Sequence, residues 1–227
     1  MSERDFFLVN AALEAGRTED AVAYTKQWAH TSPSLTLGEA KHTGKVLRTH
    51  MSGLRKSWLA LVGAREELAG LYRGRVEREM ETWGVDLATL MENTLVLKAQ
   101  DGETRAYVWK LAGDAWRYVA EISTEETHSK AAESALDAYL KASALALDLP
   151  PCNSVRLSVA INFSVFYFDV LNSPIRAFKL SRSAYDSAVQ ALTSLPEPQR
   201  LEAEEAVAIL TENLNFWASG QSVSLQN

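Results

Sequence analysis

The chain has 227 residues, of which 47% are hydrophobic and 23% charged. That is ample for a buried core in one large domain or two small ones, and it is an ordinary soluble composition. A net charge of −6 argues against a general nucleic-acid binder and makes any local concentration of basic residues informative. Cys152 is the sole cysteine, so no internal disulfide forms and a reducing compartment is favoured. The opening MSERDFFLVNAALEAGR carries charges where a signal peptide needs an apolar core. No apolar run approaches the ~18 residues of a membrane span. The expectation is a cytoplasmic protein, with nuclear access also open, that inserts in no membrane and binds no nucleic acid.

Six prolines and 11 glycines gather at junctions. Between them Ala, Leu and Glu dominate, with apolar residues recurring every three or four positions, and long β-branched alternations are missing. The fold class expected is therefore all-α, with about nine antiparallel helices. In chain order, Gly16 separates a first helix from a second, which ends near HTSPSLTLGE. A long basic helix follows through KHTGKVLRTHMSGLRKSWLALVGA, and another through EELAGLYRGRVEREMETWGVDLATLMENTLV, closing before QDGETR. AYVWKLAGDAWRYVAEI is the fifth, stopped near STEETHS, where Ser123 or Thr124 is placed to cap the next. KAAESALDAYLKASALALDL ends at Pro150-Pro151. RLSVAINFSVFYFDVLNSP is the seventh, and its end places Ser173 at an N-cap with Pro174 at the first position of the eighth. That helix stops at Pro196 and Pro198, RLEAEEAVAILTENLNFWAS is the last, and residues 219–227 read as a flexible tail after a single domain over 1–218.

Three features of these helices bear chemistry. From Ala40 to Ala64 there is no acidic residue, and Lys41, Lys45, Arg48, Ser52 and Arg55 fall at steps of 4, 3, 4 and 3 along one face. Such a stripe is either a solvated or internally paired face, or an anion site. In KLAGDAWRYVAEI, Lys110 and Arg117 share a face with Tyr118 alongside, while Asp114 and Glu121 are spaced for pairing within the helix. Arginines from two helices with a tyrosine hydroxyl suit a phosphate, because the guanidinium fork gives paired, charge-assisted donors. In the seventh helix, Ser158, Asn162, Asp169 and Asn172 interrupt a very apolar run at steps of 4, 7 and 3. Leu157, Phe163, Phe166, Tyr167, Val170 and Leu171 occupy its other faces. A polar stripe on such a helix must be paired inside a bundle or line a groove. The four histidines make no metal-ligand spacing, no phosphate-cradling or nucleophile motif occurs, and the helical carboxylates read as solvated faces. No catalysis, cofactor or metal is expected.

GDAWRYVAEI, RLSVAINFSVFYFDVLNSP and ENLNFWAS resemble, in order and spacing, the signature segments of the 14-3-3 proteins, and SGLRKSWLALVGAREE resembles their basic helix more loosely. The resemblance is strong over Lys110–Glu121 and Val155–Trp217 and patchy before Lys110. It implies a concave helical groove and a non-enzymatic adaptor that clamps phosphoserine or phosphothreonine segments of phosphorylated client proteins. It assigns phosphate binding to Arg48, Arg55, Arg117 and Tyr118, with Lys110 nearby. Asn162 and Asn213 would hold the client backbone, with Asp169, where the family has glutamate, near Trp217. Ile161, Val165 and Ile209 would form an apolar wall, on which Glu205 and Ala206 depart from the large aliphatics of the family.

The resemblance further implies a homodimer or heterodimer through the amino-terminal helices. Arg17 and Asp20 match charged interface positions, Arg75 and Glu79 their partners, and Tyr72 another interface residue. Apolar packing of Leu8, Ala12 and Leu13 would supply most of the contact. Ser57 matches a position phosphorylated in some members. Two alternatives stay open at this point: a helical-repeat scaffold for unphosphorylated peptides, and a degenerate member with a weakened groove that acts by heterodimerisation.

Overall fold

A computed structural model describes residues 1–63 and 67–219, and of Glu67 the backbone alone. The expected tail lies, from residue 220 onward, outside the described residues. The helices are α1 (Glu3–Glu14), α2 (Thr18–Thr31), α3 (Leu37–Leu61), α4 (Glu67–Leu90), α5 (Val96–Lys98) and α6 (Gly102–Ile122). They continue as α7 (Glu125–Ala146), α8 (Ser154–Asp169), α9 (Pro174–Leu192) and α10 (Glu197–Ala218). A π-helical turn, Met91–Leu95, joins α4 to α5 without a break, so these three pieces form one rod and the described residues hold the nine rods that the periodicity predicts. Extended pairing among the described residues is limited to one parallel bridge, Leu35 with Ala99.

Local chemistry explains where the helices start. Ser2 with Asp5 and Thr36 with Glu39 form reciprocal capping boxes for α1 and α3. The fifth predicted helix begins earlier than its apolar pattern, because the Asp101 carboxylate accepts from Thr104 N at 2.7 Å and so captures a free helix-end donor. Asn153 does the same for α8, accepting from Val155 N at 2.9 Å and Arg156 N at 3.1 Å. Thr124 is the N-cap of α7, though its side chain makes no capping bond, and Ser173 with Pro174 opens α9 as the spacing predicts. Asn172 departs from the expected stripe. It lies beyond the end of α8 with φ of 46°, a left-handed turn conformation that asparagine tolerates better than most residues.

The core centres on α6, whose Leu111, Ala112 and Ala115 are fully buried. It packs against α3, α4, α7 and α8, while α8 packs in turn on α9 and α10. Helices α3, α6, α8 and α10 are thus successive neighbours, α6 and α8 forming a floor between α3 and α10. Lys41 on α3 reaches towards the other side, with Nζ 3.2 Å from Ser154 Oγ and 3.9 Å from Glu202 on α10. α7 packs tightly on α6 at Gly113, where an added Cβ would lie 2.9 Å from the Tyr139 ring. Any larger residue there would push α7 away.

Candidate functional site

On the floor of the concave side, α6 and α8 supply a polar cluster built around Asp114. Its Oδ2 receives Lys110 Nζ at 2.7 Å, and its Oδ1 accepts from Tyr139 Oη at 2.7 Å and Asn162 Nδ2 at 2.8 Å. Burial by itself would raise the Asp114 carboxyl, but the Lys110 and Arg117 charges, with hydrogen bonds from Lys110 and Tyr139, hold it below its ordinary range. The same surroundings push the Tyr139 phenol well up, through burial first and the neighbouring Asp114 charge second. Lys110 is only 3% exposed. Its ammonium is turned inward onto Asp114.

Arg55 and Arg117 converge from different helices. Arg55 Nε lies 2.8 Å from both Glu121 oxygens and Nη2 lies 2.6 Å from Oε1, a two-pronged pair joining α3 to α6. The sequence spacing suggested that Glu121 pairs with Arg117 on its own helix, but the shorter route is across to α3. Arg117 is partly buried and stacks on Tyr118 at 4.9 Å. Burial opposes its charge, yet Tyr139, Tyr118, Asp114 and Glu121 together raise its pKa. Asp169 at the end of α8 is open to solvent by area, yet the packing around it still makes desolvation the largest influence, which raises its carboxyl. Arg117 and Arg55 pull it back and Glu121 adds to the rise. Arg117, Glu121, His128, Asp169 and Val170 line a common recess.

The remaining basic position, Arg48, is exposed on α3, with Nη1 3.5 Å from the Tyr107 hydroxyl and no carboxylate partner among the described residues. It lies seven residues, or roughly 10 Å of helix, from Arg55. Tyr118 is buried. Two enclosed donors, Arg117 Nε on α6 and Asn213 Nδ2 on α10, lack a hydrogen-bond partner among the described residues, an arrangement that proteins rarely leave without a reason.

Along α10, Glu205, Ile209, Asn213 and Trp217 follow one another at steps of four and share a face. Ile209 is 44% exposed and Glu205 is exposed, so this face opens with a charge and continues with an apolar side chain. Ile161 and Val165 on α8 are half-buried, Ile161 and Ala206 packing partly against Leu157 and Leu210. Trp217 stacks on Phe168 at 5.4 Å, which fastens α10 to α8 beside Asp169. The expected apolar partners on α8 are buried as predicted at Leu157, Phe163 and Phe166.

Sequence reasoning missed Tyr139, Phe168 and the cross-helix role of Glu121. Asp114 and Glu121 were visible only as possible partners within their own helix, and nothing in DAYLKAS marks Tyr139 as a ligand of Asp114.

At the amino-terminal end, Arg17 pairs with Asp20, and Arg75 with Glu79, within the chain. Ala12 is buried and Leu13 is partly buried against the core, so Ala12 is already committed inside the monomer. Large exposed apolar side chains here include Phe6 and Phe7 on α1 and Leu68, Leu71 and Tyr72 on α4. Ser57 is exposed and donates to Gly53 O at 3.2 Å. No helix among the described residues is long and apolar enough to cross a membrane.

Known proteins are similar to this chain over most of its length. The family model for 14-3-3 protein matches residues 8–218. 14-3-3 protein epsilon of Drosophila melanogaster is 34% identical over 96% of this chain and 89% of its own length. The checkpoint signal transducer rad24 of Schizosaccharomyces pombe is 32% identical over 96% and 85%, respectively. Protein BMH2 of Saccharomyces cerevisiae is 31% identical over 99% and 87%. With its helical rods in the expected order and its arginines meeting on one concave side, the chain belongs to the 14-3-3 family, non-enzymatic adaptors that bind phosphorylated peptide segments and regulate signalling.

Proposed function

We propose that this protein clamps a phosphoserine or phosphothreonine segment of a client between α3 and α10, with the phosphate held by Arg55, Arg117, Arg48 and the Tyr118 hydroxyl. The observation that carries this assignment is the convergence of Arg55 and Arg117, from separate helices, on Glu121 and Asp169. The carboxylates hold the guanidiniums in place without a ligand, and a phosphate of about −1.5 to −2 charge competes for the same donors. The client backbone then runs past Asn162 and Asn213, and its flanking side chains meet Ile161, Val165 and Ile209 on one side and Asp169 and Trp217 at the other end. Lys110 is left out of the phosphate shell and supports it from below through Asp114. A helical-repeat scaffold for unphosphorylated peptides is not favoured, since the family match spans the whole groove.

Titrating matched phosphorylated and unphosphorylated peptides tests the reading. Binding is expected only with the phosphate present; equal affinity for both peptides defeats it.

The amino-terminal region supports pairing of two copies, or of this chain with a relative, in a single-domain protein of the cytoplasm. Leu68, Tyr72, Arg75 and Glu79 lie at steps of 4, 3 and 4 on one face of α4. Together with Phe6 and Phe7 they offer an apolar surface rimmed by charge, of the kind an isologous contact covers. In that dimer, Arg17 and Asp20 exchange their internal partners for those across the two-fold axis, and phosphorylation of Ser57 would add charge beside the contact.

A further inference from the structure

We infer that Asp114 is a positioning residue of the peptide site: its carboxylate fixes the Asn162 carboxamide with Nδ2 turned into the core and Oδ1 left for a client backbone N–H. The inference rests on the reading that Asn162 lines the groove, and it adds why that side chain can act only as an acceptor there. An ionised carboxylate has lone pairs and no proton to give, whereas a carboxamide has one accepting end and one donating end. With Asp114 Oδ1 at 2.8 Å, the facing atom of Asn162 must be the nitrogen, because oxygen against oxygen at that distance is repulsive. Asn162 Oδ1 accepts no hydrogen bond among the described residues.

Everything around Asp114 keeps it ionised and still. Lys110, 3% exposed, supplies the counter-charge at 2.7 Å, and Tyr139 reaches the same oxygen as Asn162 from α7, across the close approach that Gly113 permits. The carboxyl is accordingly held below its ordinary range. Three helices thus aim at one small anion, whose remaining lone pair sets which end of a half-buried amide meets the ligand. Lys110 acts on the client through this chain of contacts.

The test replaces single backbone amides of a phosphoserine peptide by esters, in the few residues flanking the phosphoserine, which deletes one N–H at a time. In the wild-type protein one ester is expected to weaken binding about five- to tenfold, the effect of losing one good hydrogen bond. That penalty should shrink to within about twofold in Asn162→Ala and in Asp114→Asn, whose neutral amide no longer dictates the orientation of Asn162, and persist in Tyr139→Phe. Affinity for phenyl phosphate alone should not fall in Asp114→Asn, because an anion near Arg117 has been removed. Should Asp114→Asn fail to fold with Lys110 unpaired, the double variant Lys110→Met with Asp114→Asn carries the same comparison. In the wild type itself, the Asn162 side-chain amide protons should exchange with solvent far more slowly than those of an exposed asparagine. Rapid exchange, or an ester penalty that survives loss of the Asp114 charge, overturns the inference while leaving the adaptor reading intact. A wild type that does not distinguish phosphorylated from unphosphorylated peptide defeats the adaptor reading first and the inference with it.

Discussion

Truncating Arg55 to alanine separates two effects that the structure places on one guanidinium. Contacts at 2.6 to 2.8 Å join it to Glu121, and the two side chains are 14% and 15% exposed. Arg55→Ala therefore leaves Glu121 largely enclosed, next to Asp169, with its main counter-charge gone. Breaking a fully buried pair in this way costs about 3–5 kcal/mol, and the residual solvent access here reduces that to about 1–3 kcal/mol. The client loses a charged hydrogen bond contributing about 1.5–3 kcal/mol, so phosphopeptide affinity should fall on the order of 10- to 100-fold. Denaturant unfolding reads the first effect, and fluorescence anisotropy with a phosphoserine peptide reads the second. Adding Glu121→Gln removes the stranded carboxylate, so the double variant should regain most of the lost stability and little of the lost affinity. If the double variant binds the phosphopeptide within about twofold of wild type, Arg55 is a structural partner of Glu121 only and the phosphate site is misassigned.

Other outcomes follow from the same geometry. Asp114 and Asp169 have opposite linkage to pH: the lowered Asp114 contributes stability that is complete above the ordinary value of 3.8 and lost as pH falls through its folded value. The raised Asp169 binds its proton more tightly in the fold, so ionising it costs stability as pH climbs from 3.8 through its folded value. Denaturant midpoints measured from pH 3 to pH 7 should show Asp169→Asn removing the second trend and Asp114→Asn the first. Glu205→Leu should tighten peptides with apolar residues after the phosphoserine by about three- to tenfold, since it replaces an exposed charge beside Ile209 with about 1 kcal/mol of buried side chain. An unchanged affinity for apolar-flanked peptides would remove Glu205 from the groove wall. Leu68→Glu, at a side chain 77% exposed, should leave the unfolding midpoint within about 0.5 kcal/mol of wild type while lowering the mass measured in solution from that of the proposed dimer to that of a monomer. Persistence of the dimer would place the contact elsewhere.

What could be read from residues alone had a local cause. The 3.6-residue period fixes helices wherever apolar positions recur every three or four places, and Pro150-Pro151, Ser173-Pro174 and Gly16 end them by backbone geometry. Even so, Asp101 and Asn153 moved or defined helix starts through single side-chain bonds that the apolar pattern does not register. The resemblance of three long segments carried the family, because each segment combines core residues with groove residues at fixed spacing.

Which charge meets which lay beyond the sequence. Spacing of four places Lys110 by Asp114 and Arg117 by Glu121 with equal plausibility, yet the first pair forms and Glu121 turns to Arg55 on α3. The choice depends on the distance between helix axes, set by small residues such as Gly44, where α3 lies against Tyr107 and Leu111 of α6, and by the packing of α6 on four neighbours. Composition and periodicity determined an all-helical chain with basic and polar faces; only the tertiary arrangement decided that Lys110 is interior, that Asn172 belongs to a turn and that Asp114 governs the amide of Asn162. Helix formation needs near neighbours in the chain, whereas a charged pair needs two side chains brought together by everything folded between them.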